Sequence, residues 1–449
     1  MINPGWLKAR AADVRRVDAI DRKLYDRYSV KRGLRNGDGT GVLVGLTTIG
    51  NVHGYVVSEG EKTAIPGKLY YRGIDVEELV MACRGENRHG FEECAYLLLF
   101  GSLPNKVELE NWNRILAEHR RLPEGFKENG IMRSPGKDIM NSIARAVLMA
   151  YTYDTTPDLL DIETNLRQAI ELIAQFPTIA AYAYQAKAHY HLGQSLMIRY
   201  PDPLKSTAEN ILLLIRENGK YTQLEADTLD LALILHAEHG GGNNSSFTTH
   251  VVTSSYTDTY SAIAASVLSL KGARHGGANL KVMRQMEEMK RNIKDWKDND
   301  EIAAYLERIA EKQAGDGTGL IYGLGHAVYT ISDPRAMLLR DKAMKLAAEK
   351  GRSDEFNLYL QVERRGPDAI KKFHSTAENI CANVDLFSGF VYDMLDIPKD
   401  LYTPLFAVGR VVGWCAHRME ELTNAGPIIR PAYKPIFKRH PYTKIAERG

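Results

Sequence analysis

The sequence has few cysteines, little net charge and no long uncharged apolar run. Its 449 residues include four cysteines, and the formal net charge at pH 7 is +2. The cysteines are scattered without a CxxC pair, which argues against a disulfide framework or a zinc motif and favours reduced core thiols. The near-neutral charge argues against nucleic acid or an anionic membrane as a partner. The absence of a long apolar run excludes a membrane-spanning helix at this stage.

The N-terminal segment also lacks the features of a targeting sequence. It has no apolar core of the kind a secretory signal needs, and Asp13, Asp18 and Asp21 lie among its basic residues. Acidic residues are unusual in a mitochondrial presequence. We therefore predict a cytoplasmic protein.

Helical periodicity dominates the rest of the chain. Segments 258–270, 300–315 and 332–351 place apolar residues at helical intervals, and Asp333 followed by Pro334 is typical of a helix start. The run "LDLALILHAEH" is apolar on nearly every side, which predicts a buried helix. Strand patterns are confined to two short stretches near residues 41–57 and 67–75. These patterns predict a mainly α fold with a short β-ribbon.

The stretch "LHAEHGGGNNSSFTTH" (residues 235–250) presents two histidines three residues apart, His236 and His239, before three glycines. One hypothesis is a metal site in a metal-dependent helical hydrolase. Zinc proteases of the HExxH type space their histidines four apart, so the match is poor. The favoured hypothesis is that His239 binds an anion, because a histidine near a helix C-terminus tends to be protonated.

Two further histidines are also flanked by glycine at helix ends. His275 lies in "KGARHGGAN", between a helix that ends at Gly272 and one that starts near Ala278. His326 lies in "YGLGHAVYTISDPR", just before the helix that Asp333 caps. An imidazole beside exposed backbone N–H groups tends to stay neutral and lies where anions bind. A purely structural role for each single histidine remains an alternative.

One carboxylate and three arginines complete the candidate site. Asp385 lies between apolar residues, where desolvation makes a carboxylate a better general base, although it could equally cap the helix that follows. Arg335, Arg410 and Arg430 lie in apolar or Pro/Gly settings, where arginine usually has a planar anionic partner. Each could form an ordinary ion pair, but together they suggest a site for a di- or tricarboxylate.

The order of these motifs resembles that of citrate synthases. The resemblance covers the chain from about residue 65 and is carried by long segments: "LYYRGIDVEEL", "FEECAYLLLFGSLP", "ILHAEHGGGNNSS", "RHGGAN", "GLGHAVYTISDPR" and "NVDLFSGFVYDMLDIPKDLYTPLFAVGRVVGWCAHRMEE". It implies a transferase of the tricarboxylic acid cycle that condenses oxaloacetate with acetyl-CoA and hydrolyses citryl-CoA, with no metal or other cofactor. A 2-methylcitrate synthase, which uses propionyl-CoA, is the nearest alternative. A catalytically inactive relative is disfavoured, because the motif histidines and aspartate are intact.

The resemblance also implies roles for single residues. Asp385 would remove the methyl proton of acetyl-CoA, His275 would donate to the thioester oxygen, and His326 would donate to the ketone of oxaloacetate. The residues that would hold oxaloacetate are His239, Arg335, Arg410 and, from the neighbouring subunit of a homodimer, Arg430. His236 would support His239 from behind.

The resemblance further implies a two-domain helical architecture. We expect a large domain over residues 1–275, which includes the N-terminal segment and the β-ribbon, and a small closing domain over residues 276–385. Residues 386–449 would return to the large domain and form the C-terminal tail. One departure from the family pattern is Glu238, where the family usually has Asp.

Overall fold

The computed structural model describes residues 3–37, 39–58, 61–373 and 379–448. The chain divides into two compact units, Met1–Leu46 and Thr47–Gly449. The predicted division into a large domain and a small closing domain, with boundaries near 275 and 385, stays a prediction.

The described residues of the first unit include the α-helices α1 (Pro4–Val17) and α2 (Lys23–Arg27) and a 3-10 helix, Arg32–Leu34. The side chain of Asn3 caps α1 by accepting hydrogen bonds from the backbone N–H groups of Gly5 and Trp6. Neither α1 nor α2 contains a buried residue.

The second unit contains a small antiparallel sheet of three strands, β1 (Gly50–Ser58), β2 (Glu61–Tyr71) and β3 (Ile74–Asp75), in the order β1-β2-β3. A register shift between His53 and Tyr55 interrupts the β1–β2 pairing. This sheet confirms the predicted β-ribbon.

Helices form the rest of the second unit, which confirms the predicted mainly α fold. They are α3 (Val76–Gly85), α4 (Phe91–Phe100), α5 (Lys106–His119), α6 (Ile139–Ala150), α7 (Ile162–Leu192), α8 (Thr207–Ile215), α9 (Gln223–His236), α10 (Asn244–Thr253), α11 (Thr259–Lys271), α12 (Ala278–Asn292), α13 (Asn299–Ala310), α14 (Pro334–Glu349), α15 (Ser353–Phe373), α16 (Asp385–Met394) and α17 (Tyr402–Asn424). Residues 425–444 carry neither helix nor strand.

Several helix ends agree with the predictions. Helix α11 ends at Lys271 before Gly272, α12 begins at Ala278, and α14 begins at Pro334 with the Asp333 side chain accepting from the Arg335 N–H. Helix α13 ends at Ala310, earlier than the expected stop at Gly315. The four cysteines are buried free thiols, as predicted.

The core is built around α9 and α17, which are buried along most of their length. They approach closely at Gly409 and Gly413, one helical turn apart on α17. A Cβ at Gly409 would lie 2.9 Å from the Cβ of His236 and from the carbonyl oxygen of Leu233. Larger residues would therefore separate the two helices at the point where α9 ends.

No helix in the part of the chain that the structure describes has both the length and the apolar character that crossing a membrane requires.

Candidate active site

The junction between α9 and α17 fixes Arg410 and the segment that carries His239. The N–H of Gly413 donates to the carbonyl oxygen of Ala237 at 3.2 Å, and Arg410 Nε donates to the carbonyl oxygen of His236 at 2.7 Å. The Tyr71 hydroxyl bonds the carbonyl oxygens of Ile234 and Glu238 at 2.9 and 3.1 Å. These contacts hold the backbone just beyond α9 without using the side chain of His239.

A second set of backbone contacts joins the loop of His326 to the segment before α16. The N–H of Gly325 donates to the carbonyl oxygen of Cys381 at 2.8 Å, and the N–H of Asn383 donates to that of Gly323 at 2.9 Å. Gly323 and Gly325 have φ values of +89° and +88°, which favour glycine. The loop therefore runs beside residues 381–383, next to Asp385.

The hydrogen bonds of His326 define its tautomer. Its Nδ1 accepts from the backbone N–H groups of Val328 and Tyr329, at 3.1 and 3.0 Å. A neutral imidazole whose Nδ1 accepts carries its proton on Nε2. His326 thus presents Nε2–H as a hydrogen-bond donor.

His239 lies at the centre of the cluster. Its ring centroid is 5.1 Å from that of His326 and 5.7 Å from that of Tyr329. Burial lowers the pKa of His239 well below its usual value, and the charges of Arg335 and Arg410 and the rings of His326 and His275 lower it further. The expectation of a protonated His239 is wrong, because burial and two nearby arginines outweigh the helix C-terminus. Its Nε2 is buried and has no hydrogen-bond partner among the described residues.

Two buried arginines, Arg335 and Arg410, lie near His239, and they differ in whether a carboxylate balances their charge. Asp333 holds Arg335 through two hydrogen bonds, at 3.0 Å to Nε and 2.7 Å to Nη2, so its charge is balanced within the protein. Arg410 faces no such carboxylate, and its Nη2 is buried without a partner among the described residues. Burial lowers the pKa of Arg410 to about 10 even though Glu238 raises it. Such a guanidinium offers a strong site for an anion.

His275 lies in the turn between α11 and α12, half-buried. Burial, with a smaller effect of Arg410, lowers the pKa of His275 to about 4, so its ring is neutral at physiological pH. Its Nε2 is 3.0 Å from the Ser245 hydroxyl. The same hydroxyl lies 2.9 Å from Asn243 Oδ1, so two acceptors compete for one proton.

Asp385 is the first residue of α16, one position after the N-cap Val384, and this helix start has no side-chain cap among the described residues. The alternative role as a helix cap is therefore wrong. Burial, opposed by the charge of Arg335 and assisted by that of Asp333, raises the pKa of Asp385 to about 6. A carboxylate with such a pKa is deprotonated at neutral pH and remains basic enough to accept a proton from carbon.

The structure thus brings together His239, His275, His326, Arg335, Arg410 and Asp385, whereas Arg430 lies apart from them on the same chain. Arg430 is exposed in the segment 425–444, which has no regular structure. Its predicted role in a neighbouring subunit stays a prediction.

His236 does not contact His239 in the predicted way. Its Nε2 lies 3.0 Å from the Tyr392 hydroxyl, and its ring stacks on Phe406 at 4.2 Å. It supports Arg410 instead, by offering its carbonyl oxygen to Nε. His236 and His239 also belong to no group of metal-ligating side chains found in the described residues.

A cavity of about 470 Å³ opens beside the turn that carries His275. Cations outnumber carboxylates in its lining, which includes Lys137, Lys271, Lys281, Arg284 and Lys399 together with Asp138, Glu287 and Asp400. Sequence reasoning did not find this opening, because its lining comes from three separate segments, 137–140, 271–287 and 399–404.

Sequence reasoning also missed the partners that orient the site. Ser245 and Tyr329 have no local signal beyond their place near a motif histidine. Asp333 was predicted only as a cap, and it caps α14 while also binding the Arg335 side chain. An acidic residue two positions before a buried arginine is a signal that could have suggested this pairing.

Several known proteins are similar to this chain. The family model described as "Citrate synthase, C-terminal domain" matches residues 38–432. A citrate synthase of Synechocystis is 33% identical over 374 residues, covering 81% of this chain and 84% of that protein. A citrate synthase of Haloferax volcanii is 32% identical over 406 residues, covering 88% of this chain and 98% of that protein. The structure of a citrate synthase from Thermoplasma acidophilum, in a ternary complex with carboxymethyl coenzyme A and oxaloacetate, superposes with a TM-score of 0.74 at 28% identity, covering 93% of this chain and 99% of that chain.

Proposed function

The chain belongs to the citrate synthase family, and on that premise we propose that it condenses oxaloacetate with acetyl-CoA and hydrolyses the resulting citryl-CoA to citrate and CoA. The observation that carries the proposal is the chemistry of the cluster. Neutral imidazoles and a carboxylate with a raised pKa surround a buried guanidinium that has an unpaired donor.

Oxaloacetate would bind first, against the arginines. Arg410 would use its unpaired Nη2 to bind a carboxylate of oxaloacetate, and Arg335, oriented by Asp333, would supply the second positive charge. His239 would donate a hydrogen bond as a neutral imidazole. Because Arg410 is desolvated before the substrate arrives, a bound dianion recovers interactions that the free protein lacks.

The condensation would use three side chains. The Asp385 carboxylate accepts a proton from the acetyl methyl group while His275 donates a hydrogen bond to the thioester oxygen, which takes up the developing charge. The new carbon nucleophile attacks the ketone carbon of oxaloacetate, and the ketone oxygen takes a proton from His326 Nε2. Water then cleaves the thioester of citryl-CoA and releases citrate and CoA.

This scheme requires the proton of His275 to be on Nδ1. The Ser245 hydroxyl can impose that tautomer by donating to Nε2 across the 3.0 Å contact. We propose that Ser245 donates to His275 in the complex with substrate, in preference to Asn243. The basic cavity beside His275 would take the phosphates of the CoA.

The proposal includes a homodimer in which Arg430 of one subunit reaches the oxaloacetate of the other. It also includes chemistry that needs no metal or other cofactor, and a cytoplasmic location. The homodimer and the chemistry without a cofactor rest on the family resemblance, while the cytoplasmic location rests on the composition of the N-terminal segment and on the scattered cysteines.

The deciding experiment measures release of the CoA thiol with oxaloacetate and either acetyl-CoA or propionyl-CoA, each with and without EDTA in the assay. Faster turnover with acetyl-CoA that EDTA leaves unchanged supports the proposal. A preference for propionyl-CoA would make the enzyme a 2-methylcitrate synthase. Loss of turnover on addition of EDTA in protein whose circular dichroism is unchanged, or no thiol release with either donor, would contradict the mechanism.

A further inference from the structure

Two imidazoles face each other beneath the anion site, where α10 meets α17. His250 Nε2 lies 3.1 Å from His417 Nδ1, with the ring centroids 4.9 Å apart and the planes at 65°. Glu420, three residues after His417 on α17, places Oε2 3.8 Å from the same Nδ1. These three inner atoms all lie within 4.8 Å of one another.

The outer nitrogens of both rings are bound to carboxylates. His250 Nδ1 lies 2.8 Å from Glu421 Oε2, and His417 Nε2 lies 3.0 Å from Glu238 Oε1. An ionised carboxylate only accepts, so each outer nitrogen carries a proton. In neutral rings the two inner nitrogens then face each other with lone pairs, and either a proton on one ring or a metal ion has to lie between them. The pattern carboxylate–histidine–cation is the usual outer support of protein metal sites.

The third inner atom is also unsatisfied. Glu420 Oε1 accepts from the N–H and the hydroxyl of Thr48, at 2.7 and 3.0 Å. Its Oε2 is buried and has no hydrogen-bond partner among the described residues. Three carboxylates, those of Glu238, Glu420 and Glu421, thus surround two imidazoles. A dication compensates this negative charge more completely than a single proton would.

We propose that His250 Nε2, His417 Nδ1 and Glu420 Oε2 bind one zinc ion per chain. Two imidazoles and a carboxylate are ligands that zinc accepts, and two nitrogens on one tetrahedral zinc lie about 3.3 Å apart, close to the observed 3.1 Å. Water completes the coordination. Gly241 lines the cluster, since a Cβ there would lie 3.4 Å from His417 Cε1 and 3.5 Å from His250 Nε2.

The ion has a structural role, separate from the condensation. It joins α10 to α17 and, through Glu238, to the backbone of His239. This site differs from the hypothesis of a metal on His236 and His239, and it does not depend on the proposed function. The two can therefore fail separately: zinc binding is measured without substrate, and turnover is measured with EDTA present.

The experiment uses untagged full-length protein that has been stripped with chelator and then dialysed. Zinc is titrated by calorimetry and the bound metal is counted by mass spectrometry. Cobalt(II) is added in a parallel sample, because a tetrahedral site gives intense visible absorption. We expect saturable binding of one ion per chain and a cobalt spectrum that excess zinc abolishes.

The variants His250→Gln and Glu420→Gln each remove one ligand at the more exposed side of the cluster. We expect zinc affinity to fall by at least about 100-fold in both, with circular dichroism unchanged. The matched control is His191→Gln, an exposed histidine whose Nε2 bonds the carbonyl oxygen of Pro135, and we expect it to bind zinc like the wild type.

If wild-type protein shows neither saturable zinc binding nor the cobalt spectrum, the proposal is overturned. The contact between His250 Nε2 and His417 Nδ1 would then be a hydrogen bond with a shared proton. Equal zinc affinity in wild type, His250→Gln and Glu420→Gln would also overturn it, because the ion would then bind elsewhere. If one variant fails to fold, the cobalt spectrum of the wild type and the other variant still decide the outcome.

Discussion

The protein contains two groups of histidines a short distance apart that have opposite electrostatic surroundings. The front histidines, His239, His275 and His326, lie around buried arginines, while the rear pair, His250 and His417, lies among carboxylates. Burial lowers the pKa of His239 and His275; Arg335 and Arg410 lower that of His239 further, and Arg410 lowers that of His275 further. Burial also lowers the pKa of His417, but Glu238 and Glu420 outweigh it and raise the value to about 9.

The boundary between the two groups runs between adjacent residues. Glu238 bonds His417 on the rear side, while His239 faces His326 on the front side. Histidine is thus a neutral hydrogen-bond donor in the front group, whereas in the rear group its imidazole carries or binds positive charge. The difference comes from neighbours that α14 and α17 supply, since Glu238 and His239 are adjacent in the sequence.

The largest expected effect comes from removing the base of the front group. Asp385→Asn keeps the shape of the side chain but cannot accept the methyl proton, so kcat falls about 10³-fold or more. Oxaloacetate binding, measured by calorimetry, stays near the wild-type value, because the arginines are intact. The matched control, Asp393→Asn on the same helix, keeps near wild-type turnover. Near wild-type activity in Asp385→Asn would show that another group is the base.

The next largest effect comes from removing Arg410, the arginine of the front group that has no carboxylate partner among the described residues. Arg410→Gln loses a charge-assisted hydrogen bond of about 2–3 kcal/mol, which corresponds to a rise in the KM for oxaloacetate of about 30- to 150-fold. The KM for acetyl-CoA changes much less. Arg340→Gln, which removes an arginine paired with Glu363 away from the site, is the control. Equal losses for both substrates would indicate a folding defect.

A smaller effect tests the tautomer of His275. Ser245→Ala removes the hydroxyl that can hold the proton on Nδ1, and we expect kcat to fall about tenfold with little change in the KM for oxaloacetate. Ser269→Ala, which removes a hydroxyl bound to Asn244, is the control. A change in the oxaloacetate KM alone would mean that Ser245 shapes the anion site and does not orient His275.

The smallest effect concerns stability and pH. Burial raises the pKa of Asp385 from 3.8 to about 6, so the folded state binds this proton more tightly than the unfolded state does. The charged carboxylate therefore costs stability, progressively as pH rises from about 4 to 6 and fully above that range. We expect Asp385→Asn to raise the free energy of unfolding by about 1–3 kcal/mol at pH 7.5. Denaturant unfolding is measured at pH 7.5 and at pH 3.5, and at pH 3.5 the variant should be no more stable than the wild type. The same difference in stability at both pH values would show that it does not come from the charge of Asp385.

Local sequence was sufficient for the features that depend on a few neighbouring residues. The cap at Asp333, the stop at Gly272 and the burial of α9 follow from capping chemistry and apolar periodicity. The motif histidines could be identified because glycines and helix ends surround them. The role of Asp385 as a cap could not be excluded, because a carboxylate before a helix fits both roles until its hydrogen bonds are known.

The hydrogen-bond partners and charge states of the site residues could not be predicted from neighbouring residues in the sequence. The protonation of His239 was predicted wrongly, because its pKa is lowered mainly by burial and further by two arginines that lie about 100 and 170 residues away in the chain. The rear pair gave no signal, because His250 and His417 are separated by 167 residues. The role of Arg430 in a neighbouring subunit stays a prediction.

The sequence by itself determined where several helices begin and end, which faces are buried and which residue types are available for acid–base chemistry, because these properties depend on contacts within a few residues. Only the tertiary structure decided which nitrogen of His326 carries the proton, which arginine lacks a counter-ion and which histidines face carboxylates. Those properties depend on desolvation and on charges brought together across the fold, and close packing between α9 and α17 at Gly409 and Gly413 sets the distances.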